Sequence, residues 1–272
     1  MTIIDTHTHL YDVADPVTVL RQAAEAGVSD IITLGVDLAS NIKHLQLCDS
    51  IPPVLKMHLA FGLHPGNVTT EEDTRACIEH LRVNVGQAVA IGEAGLDFWY
   101  KWVRRDDEKK RQQREAFQAQ LDLAAEFGLP IVIHARGTWR ECLDMAKASG
   151  IKKADFHWYS GPDEVLRDIL DAGYMISVSP AIEYSVDSKR AAVFTPLDRL
   201  LVETDTPVKV SAPNGDRIPS GPADVWRTFR ALCVLKKLDE PDALVTLNGN
   251  ARAFFNIPCY NPFSKENPAE KI

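Results

Sequence analysis

The feature that most constrains the fold is a regular alternation between short apolar runs and longer amphipathic segments. The short runs are rich in Val and Ile, which favours β-strands, and the longer segments have the spacing of helices that pack one face against a sheet. The predicted strands cover residues 2–6, 31–35, 55–63, 89–93, 131–134, 154–157, 174–179 and 200–203. The predicted helices cover residues 16–27, 38–50, 71–85, 107–127, 138–148, 162–172 and 222–237, and a polar stretch follows the seventh strand.

Eight strands that each lead into a helix or a loop predict an α/β protein with a parallel sheet. In a chain of 272 residues they favour a single-domain (β/α)8 TIM barrel, with an open, doubly wound sheet as the alternative. Two further apolar segments, 241–247 and 250–255, are interpreted as a closing helical hairpin. The barrel domain is expected to span residues 1–257, followed by a loosely ordered C-terminal extension over 258–272.

The overall charge excludes a protein that coats nucleic acid non-specifically. The 30 basic and 38 acidic side chains give a net charge of −8, so any contact with a polyanion has to be local. The chain has no run of roughly 18 apolar residues, and its first residues lack the basic flank and apolar core of a signal peptide. We therefore expect a cytoplasmic, monomeric protein with no membrane contact and no obligate protein partner.

Polar residues that can bind a metal stand at the ends of five predicted strands. His7 and His9 close the first strand as an H-x-H pair, and residues two apart on a strand point to the same face. The other four residues are Glu93, His134, His157 and Asp205. Because the carboxyl ends of barrel strands converge on one mouth, all six side chains are expected to meet there. The alternative is a set of unrelated structural roles, each of which would need its own buried hydrogen-bond partner.

Six ligands exceed one tetrahedral site, so the pattern suggests two divalent metal ions that share a carboxylate, with Glu93 as the bridge. Imidazole and carboxylate ligands suit Zn²⁺, Mn²⁺ or Fe²⁺, whereas Mg²⁺ prefers more oxygen, so the metal identity stays open. Asp5 and Glu203 stand two residues from ligands and are interpreted either as acceptors that orient imidazoles or as ordinary loop hydrogen-bonding groups. Three further histidines are expected to be structural, namely His44, His58 and His80.

Six motifs extend this pattern along the chain. They are DTHTHL at residues 5–10, GLHP at 62–65, IGEAGLD at 91–97, PIVIHAR at 130–136, HWYSG at 157–161 and ETDTP at 203–207. In this order they resemble the TatD family of metal-dependent deoxyribonucleases, within the amidohydrolase-like barrels. Residues 250–255 are similar to the family's closing Asn and Phe segment, so the resemblance covers nearly the whole chain.

The resemblance implies a hydrolase that cleaves phosphodiester bonds of DNA with a metal-activated water, as a 3′–5′ exonuclease on single strands. One ion would be surrounded by His7, His9, Glu93 and Asp205, and the other by Glu93, His134 and His157. Asp205 would take the proton of the attacking water, and His64 and Arg136 would contact the substrate phosphate. The expected catalytic residues are therefore Asp205, His64 and Glu93. For Arg136 a structural ion pair at the barrel mouth is the alternative.

A basic segment offers a local route for DNA to this acidic protein. Residues 101–114 carry seven basic and three acidic side chains. Four aromatic residues lie in or directly before this segment and could stack on unpaired bases, namely Phe98, Trp99, Tyr100 and Trp102. The pattern favours single-stranded DNA ends as the substrate. The alternative is a solvated helix start whose aromatic side chains pack as a lid.

Two other readings of the metal site stay open. The same centre would serve an ester, amide, lactone or small phosphoester, since barrels host many reactions through loop variation. A metal-binding scaffold for a partner protein is the third hypothesis, and the complete ligand set argues against it. Residues 208–222 lack the family's Asn-x-Pro element, and residues 177–181 lack its common Ser-Gly pair. Both departures fall in loops that shape the pocket of a barrel, so they concern the substrate and not the metal.

Overall fold

The protein, described here by a computed structural model over residues 1–48, 55–211 and 215–258, is built around eight parallel strands that pair in chain order. This confirms the predicted (β/α)8 barrel. The barrel strands β1 to β8 are Ile3–Thr8, Val28–Leu34, Lys56–Phe61, Ala88–Asp97, Ile131–Arg136, Ala154–Phe156, Met175–Val178 and Leu200–Val202. The helices α1 to α9 are Pro16–Glu25, Leu38–Leu47, Glu71–Asn84, Asp107–Phe127, Trp139–Ala148, Asp163–Asp171, Val186–Phe194, Val225–Lys236 and Glu240–Phe255. Residues 259–272 of the expected extension lie outside the described part.

Helix boundaries follow from local capping chemistry. The Asp106 side chain accepts a hydrogen bond from the Lys109 amide at 3.1 Å, which satisfies one of the free N–H groups at the start of α4. Gly128 ends the same helix with a left-handed backbone at φ +65°, a conformation that glycine adopts without a steric penalty. None of the helices in the described ranges is long and apolar enough to span a membrane.

The barrel interior is apolar at one end only. Inward-facing side chains such as Ile4, Ile32 and Val132 form a buried cluster with Phe254 and Phe255 near the end of α9. This helix therefore plugs the barrel at the amino ends of the strands. A second buried cluster fills the space between the strands and the surrounding helices. At the carboxyl ends of the strands, polar side chains surround an open cleft.

The barrel closes between its first and last strands at this polar end. Thr8 forms an isolated parallel bridge with Thr206. The Asp205 amide donates to the His7 carbonyl at 2.9 Å, and the His9 amide donates to the Thr206 carbonyl at 2.7 Å. Closure of the barrel therefore brings the H-x-H pair beside Asp205, although at least 195 residues separate them in the sequence.

Strand β4 differs from its prediction, because it does not end at Glu93 but continues to Asp97. Its register against β5 shifts between Ile91 and Ala94, so that β4 carries one extra residue there. Such a bulge re-aims a side chain toward the site. The strand then resumes pairing, which places Asp97 opposite Arg136.

The closing hairpin predicted over 241–255 is wrong, because α9 is one continuous helix. Two asparagines at the predicted break, Asn248 and Asn250, lie within this helix and make tertiary contacts. The Asn248 side chain bonds the Ile4 amide at 3.1 Å and the Thr2 carbonyl at 2.8 Å. Asn250 donates to the Leu197 and Leu200 carbonyls, each at 2.8 Å.

Two segments predicted to be irregular contain regular structure. The polar stretch after the seventh strand includes α7, and the loop over 208–222 includes two short antiparallel strands. These strands, β9 and β10, are Lys209–Ser211 and Arg217–Pro219. Residues 212–214 between them lie outside the described part.

Candidate metal centre

A cleft of about 640 Å³ opens at the carboxyl ends of the barrel strands. Five of the six predicted ligands line it, namely His9, Glu93, His134, His157 and Asp205. The sixth, His7, is fully buried beneath them. The strands therefore bring the whole predicted set to one place.

Glu93 lies at the centre, and its two carboxylate oxygens face different imidazoles. Oε1 is 2.8 Å from His134 Nδ1 and 2.8 Å from His157 Nε2. Oε2 is 3.2 Å from His9 Nε2 and 3.6 Å from His7 Nε2. Its side chain is 4% exposed, so both oxygens depend on these neighbours for their partners. A single carboxylate thus divides the histidines into two groups.

The bulge that aims Glu93 also brings the backbone of β4 very close to Gly62 on the loop after β3. A Cβ at Gly62 would lie 2.5 Å from the Glu93 nitrogen and 2.6 Å from its carbonyl oxygen. Only glycine fits this approach, which gives the GLHP motif a structural reason for its first residue.

Asp205 joins the group on the Oε2 side of Glu93. Its Oδ1 is 3.2 Å from His9 Nε2 and 3.6 Å from His7 Nε2. Its backbone is left-handed at φ +53°, a conformation that aspartate tolerates better than most side chains. The hydrogen bond from its amide to His7 supports this strained geometry.

A second row of acceptors faces the outer nitrogen of each imidazole, which is the ring nitrogen that points away from Glu93. His9 Nδ1 is 2.9 Å from the Leu34 carbonyl, which can only accept, so the ring nitrogen must be N–H. His134 Nε2 is 3.2 Å from Asp97 Oδ2. These contacts leave His9 Nε2 and His134 Nδ1 to present lone pairs toward Glu93 when the rings are neutral.

The Glu203 carboxylate faces the other two imidazoles, those of His7 and His157. Its Oε2 lies 3.7 Å from His7 Nδ1, and its Oε1 lies 3.6 Å from His157 Nδ1. The two rings stack with centroids 4.2 Å apart. Ser177 donates to Oε2 at 2.8 Å and fixes the carboxylate. Of the two roles open to Glu203 from the sequence, the geometry favours the one that orients imidazoles.

Asp5 is instead an ordinary hydrogen-bonding group of the backbone and loops. It accepts hydrogen bonds from the Thr204 hydroxyl at 2.6 Å, the Thr204 amide at 3.0 Å and the His7 amide at 3.4 Å. Its contacts are therefore with the backbone and one hydroxyl at the β1–β8 seam, where they fix the loop that carries Asp205.

The electrostatics of the cluster favour positive charge between the carboxylates. Burial alone would lower the pKa of His9, but hydrogen bonds to Asp205 and Glu93 outweigh it and raise the pKa to about 10. Burial likewise opposes ionisation of Glu93, yet the neighbouring imidazoles, with His157 foremost, hold its pKa well below the usual range. The buried carboxylates thus attract positive charge, which protons on the imidazoles supply here.

The donor set fits a divalent cation. His7 Nε2 and His9 Nε2 lie 3.1 Å apart, and the outer nitrogens of both rings face acceptors. Two lone pairs at this distance repel each other unless a proton or a cation lies between them and the nearby carboxylate oxygens. On the Oε2 side of Glu93, its carboxylate and the nitrogens of His7 and His9 lie within 4.8 Å of one another. On the Oε1 side, His134 Nδ1 and His157 Nε2 each lie 2.8 Å from the carboxylate.

His64 lies at the edge of this cluster as a neutral donor. Its Nδ1 accepts from the Gly66 amide at 2.9 Å, so Nε2 carries the hydrogen and faces Glu93 Oε1 at 3.5 Å. Burial lowers the pKa of His64 to about 3. The ring is therefore available to donate a hydrogen bond to a group in the cleft.

Arg136 projects from the end of β5 into the cleft with its side chain 54% exposed. Its guanidinium carbon lies 5.6 Å from the centre of the Trp99 ring, and its Nε is 3.9 Å from Asp97 Oδ2. The Trp99 contact and the distant carboxylate leave much of the guanidinium fork free. This arrangement favours a substrate contact over the structural ion pair.

The histidines expected to be structural have local partners. His44 Nε2 accepts from the Tyr11 amide at 3.2 Å, His58 pairs with Asp30 at 2.9 Å, and His80 lies beside the Asn84 amide at 3.4 Å.

Sequence reasoning gave no role to Asp97, which is buried behind the cleft, or to several residues that line the cleft. Asp97 was noted only as the last letter of a motif, and the extended pairing of β4 and β5 that positions it is a long-range feature. The lining also includes Tyr11, Asn67, Trp158, Ser160, Pro207 and Val208. The last two precede β9, so the loop that departs from the family pattern begins at the cleft wall.

Comparison with known proteins agrees with the motifs. The family model for TatD related DNase matches residues 4–256. The uncharacterized metal-dependent hydrolase TatD of Mycobacterium tuberculosis is 32% identical, over 93% of this chain and 97% of its own. The uncharacterized metal-dependent hydrolase YjjV of Escherichia coli is 30% identical, over 94% of this chain and 98% of its own. The crystal structure of YjjV superposes on this chain with a TM-score of 0.82 and 28% identity, and the superposition covers 94% of this chain and 98% of YjjV. A protein of Erwinia tasmaniensis named 3′-5′ ssDNA/RNA exonuclease TatD is 29% identical over 88% and 93% of the chains.

Proposed function

The chain belongs to the TatD-related DNase family of metal-dependent hydrolases, and we propose that it cleaves phosphodiester bonds of DNA, removing nucleotides from the 3′ ends of single strands. The observation that carries the proposal is the position of Glu93 between two groups of imidazoles, in a cleft whose wall includes a free arginine fork. The direction of attack follows the name of the Erwinia relative.

In this proposal the side chains on either side of Glu93 would hold two divalent metal ions. One would be held by His7, His9, Glu93 Oε2 and Asp205, and the other by Glu93 Oε1, His134 and His157. When bound, such cations lower the pKa of water and neutralise charge on phosphoryl oxygens. The imidazole-rich donor set suits Zn²⁺ or Mn²⁺ better than Mg²⁺.

Three side chains of the protein act on the substrate. Asp205 accepts the proton of the attacking water, because it is the carboxylate on the open side of the cluster and lines the cleft. His64 donates a hydrogen bond to the phosphate from Nε2. Arg136 offers two parallel N–H groups to the phosphate oxygens, which fixes the orientation of the scissile bond.

The preference for a single strand rests on the aromatic segment beside Arg136. The side chains of Trp99 and Trp102 are 60% and 41% exposed. Tyr100 lines the cleft and stacks on Trp102 with ring centroids 5.5 Å apart. Exposed rings that lead outward from the cleft can stack on unpaired bases, whereas a paired duplex hides its base faces.

The basic segment contributes fewer free charges than its sequence suggests. Lys110 pairs with Asp107, Arg111 with Glu108, and Arg114 with Glu141. Lys109 lies over the Trp102 ring, and within the described ranges no ion pair is formed by Lys101, Arg104 or Arg105. These three side chains are therefore the cations that we assign to the DNA backbone.

The proposal is tested with a 5′-labelled single-stranded oligonucleotide and metal-stripped protein resupplied with Mg²⁺, Mn²⁺ or Zn²⁺. We expect a metal-dependent ladder that shortens from the 3′ end, and much slower loss from a blunt duplex of the same sequence. Internal cuts or shortening from the 5′ end would contradict the exonuclease assignment.

A substrate panel separates DNA from other substrates. Failure to cut any oligonucleotide, together with hydrolysis of a lactone, amide or simple phosphate ester by the same metal-loaded protein, would overturn the DNase proposal. It would leave the metal centre in place and direct attention to the cleft wall at Pro207 and Val208.

A further inference from the structure

One buried carboxylate at the mouth has no part in the proposed metal binding or proton transfer. Asp97 is the last residue of β4, and its side chain is fully buried. Its backbone amide donates a hydrogen bond to Gln113 Oε1 of α4 at 3.0 Å. The preceding carbonyl, that of Leu96, accepts from the Thr138 hydroxyl at 2.7 Å. The carboxylate is therefore anchored on a rigid strand end.

The two oxygens of Asp97 serve different elements of the site. Oδ1 accepts from the Trp99 amide at 2.8 Å, and Oδ2 faces His134 Nε2 at 3.2 Å. Oδ2 is also the nearest anionic atom to Arg136, at 3.9 Å from Nε. The Asp97 carboxylate thus faces three residues of the site, namely His134, Arg136 and Trp99.

The contact with His134 selects which ring nitrogen faces the metal centre. Nδ1 lies 2.8 Å from Glu93 Oε1 and Nε2 lies 3.2 Å from Asp97 Oδ2. When a cation takes the place of the proton between Nδ1 and Glu93, the contact with Asp97 keeps the remaining hydrogen on Nε2, so that Nδ1 presents its lone pair. If the outer contact were lost, the neutral ring would be free to carry its hydrogen on Nδ1, and that nitrogen could not bind a cation.

The contact with Trp99 fixes the aromatic surface under Arg136. The indole packs so closely on the following turn that a Cβ at Gly137 would lie 2.3 Å from Trp99 Nε1. Gly137 has φ +75°, and its missing side chain makes room for the ring. The guanidinium of Arg136 lies over the same indole.

We propose that Asp97 is a positioning residue that sets the ligating nitrogen of His134 and aligns Arg136 and Trp99 with the metal centre. The part that concerns Arg136 and Trp99 rests on the proposed function, whereas the part that concerns His134 rests only on metal binding. The role acts through hydrogen bonds to other residues, since Asp97 is screened from the cleft.

Asp97→Asn tests the proposal with little change in shape. An asparagine has a single acceptor oxygen, so it cannot accept from both the Trp99 amide and His134. We expect Zn²⁺ titrated into the metal-free variant to bind about 10–100-fold more weakly at one of its two sites, with the other site unaffected. Equal affinity at both sites in the variant and the wild type would overturn the proposal.

A matched control is Asp30→Asn, which removes a second buried aspartate that pairs with a histidine and an arginine. Asp30 is on β2 near the opposite end of the barrel, so its loss should leave both zinc affinities unchanged. Equal weakening in the two variants would contradict a specific role for Asp97, because it would mean that any loss of barrel stability weakens metal binding.

A spectroscopic measurement keeps the proposal testable even if the variant folds poorly. In the zinc-loaded wild type with ¹⁵N-labelled histidine, we expect one ring bound through Nδ1 with a hydrogen on Nε2, assigned by its loss in His134→Asn. A ring bound through Nε2 at this position would overturn the proposal. Neither zinc readout uses DNA, so failure of the nuclease assignment is distinguishable from failure of this one.

Discussion

Two buried aspartates at opposite ends of the barrel each lie between a histidine and an arginine, yet only one of these groups is placed to do chemistry. At the amino ends of the strands, Asp30 pairs with His58 at 2.9 Å through one oxygen and with Arg252 at 3.0 Å through the other. At the carboxyl ends, Asp97 faces His134 at 3.2 Å and Arg136 at 3.9 Å.

The difference lies in the free faces of the partners. The side chain of Arg252 is 14% exposed and joins α9 to the barrel, whereas that of Arg136 is 54% exposed and reaches into the cleft. His134 turns its second nitrogen to Glu93, at the centre of the cluster. The same three residue types therefore stabilise the fold where their hydrogen bonds are internal, and build a site where one face stays open.

The largest expected effect concerns Asp205, at the open end. Asp205→Asn removes the proposed proton acceptor, and we expect turnover to fall by roughly 10²–10⁴-fold, the usual contribution of a general base. Circular dichroism and the unfolding midpoint should stay close to those of the wild type. Turnover within a few-fold of the wild type would remove Asp205 from its assigned role.

At the closed end we expect a loss of stability without a loss of chemistry. Asp30→Asn leaves the largely buried Arg252 without its ionic partner, which should lower the free energy of unfolding by about 3 kcal/mol. Urea denaturation measures this change, and turnover at 25 °C should be unaffected. A variant with normal stability and impaired turnover would break the comparison between the two ends.

The pH dependence of the same pair provides a control. Burial alone would raise the pKa of Asp30, but the hydrogen bond from His58 and the charge of Arg252 outweigh it and lower the pKa. A carboxylate with a lowered folded pKa contributes stability above its unfolded pKa of about 3.9, and that contribution is lost as the pH falls through the folded pKa. The stability gap between wild type and Asp30→Asn should therefore close in strong acid. A gap that stays constant there would show that the charge of Asp30 is unimportant.

The two arginines sharpen the comparison at a smaller scale. Arg136→Lys keeps the charge but loses the fork, and hydrogen bonds to charged groups contribute about 1.5–3 kcal/mol. We expect kcat/KM on an oligonucleotide to fall by about 10–100-fold, with most of the change in KM. Arg252→Lys is the matched control and should leave both constants unchanged; similar losses in the two variants would argue against a phosphate contact.

The smallest effect is expected from Arg104 and Arg105, two cations of the basic segment that are unpaired in the described part of the chain. In Arg104→Ser/Arg105→Ser, the plot of log affinity for single-stranded DNA against log salt should flatten by about 0.7 per charge removed. Lys147→Ser/Lys152→Ser removes equal charge near the amino end of β6 and should leave the slope unchanged. Identical slopes in both double variants would exclude Arg104 and Arg105 from the DNA contact.

The sequence predicted the barrel and the convergence of its ligands because both depend on local patterns. Strands rich in Val and Ile alternate with capped helices, His134 lies near the end of β5, and His157 directly follows β6. Parallel strands in a closed barrel then leave only one mouth at which such residues can meet.

The features that sequence reasoning missed depend on long-range pairing. The bulge at Glu93 and the role of Asp97 arise from the register of β4 against β5. Asn248 and Gly249 resemble a turn locally, but Asn248 bonds the backbone of the first strand and the helix continues. Helix α7 was missed because its apolar residues are weakly segregated, with Val186 and Val193 exposed while Ala191 and Ala192 are buried.

The most direct test of the account measures the metal content of the wild type and of Glu93→Ala after equilibration with Zn²⁺ and removal of free metal. Both groups of imidazoles meet at this one carboxylate, so we expect about two equivalents in the wild type and loss of both in the variant. Retention of two equivalents by a folded Glu93→Ala protein would contradict the central claim that Glu93 joins two metal sites.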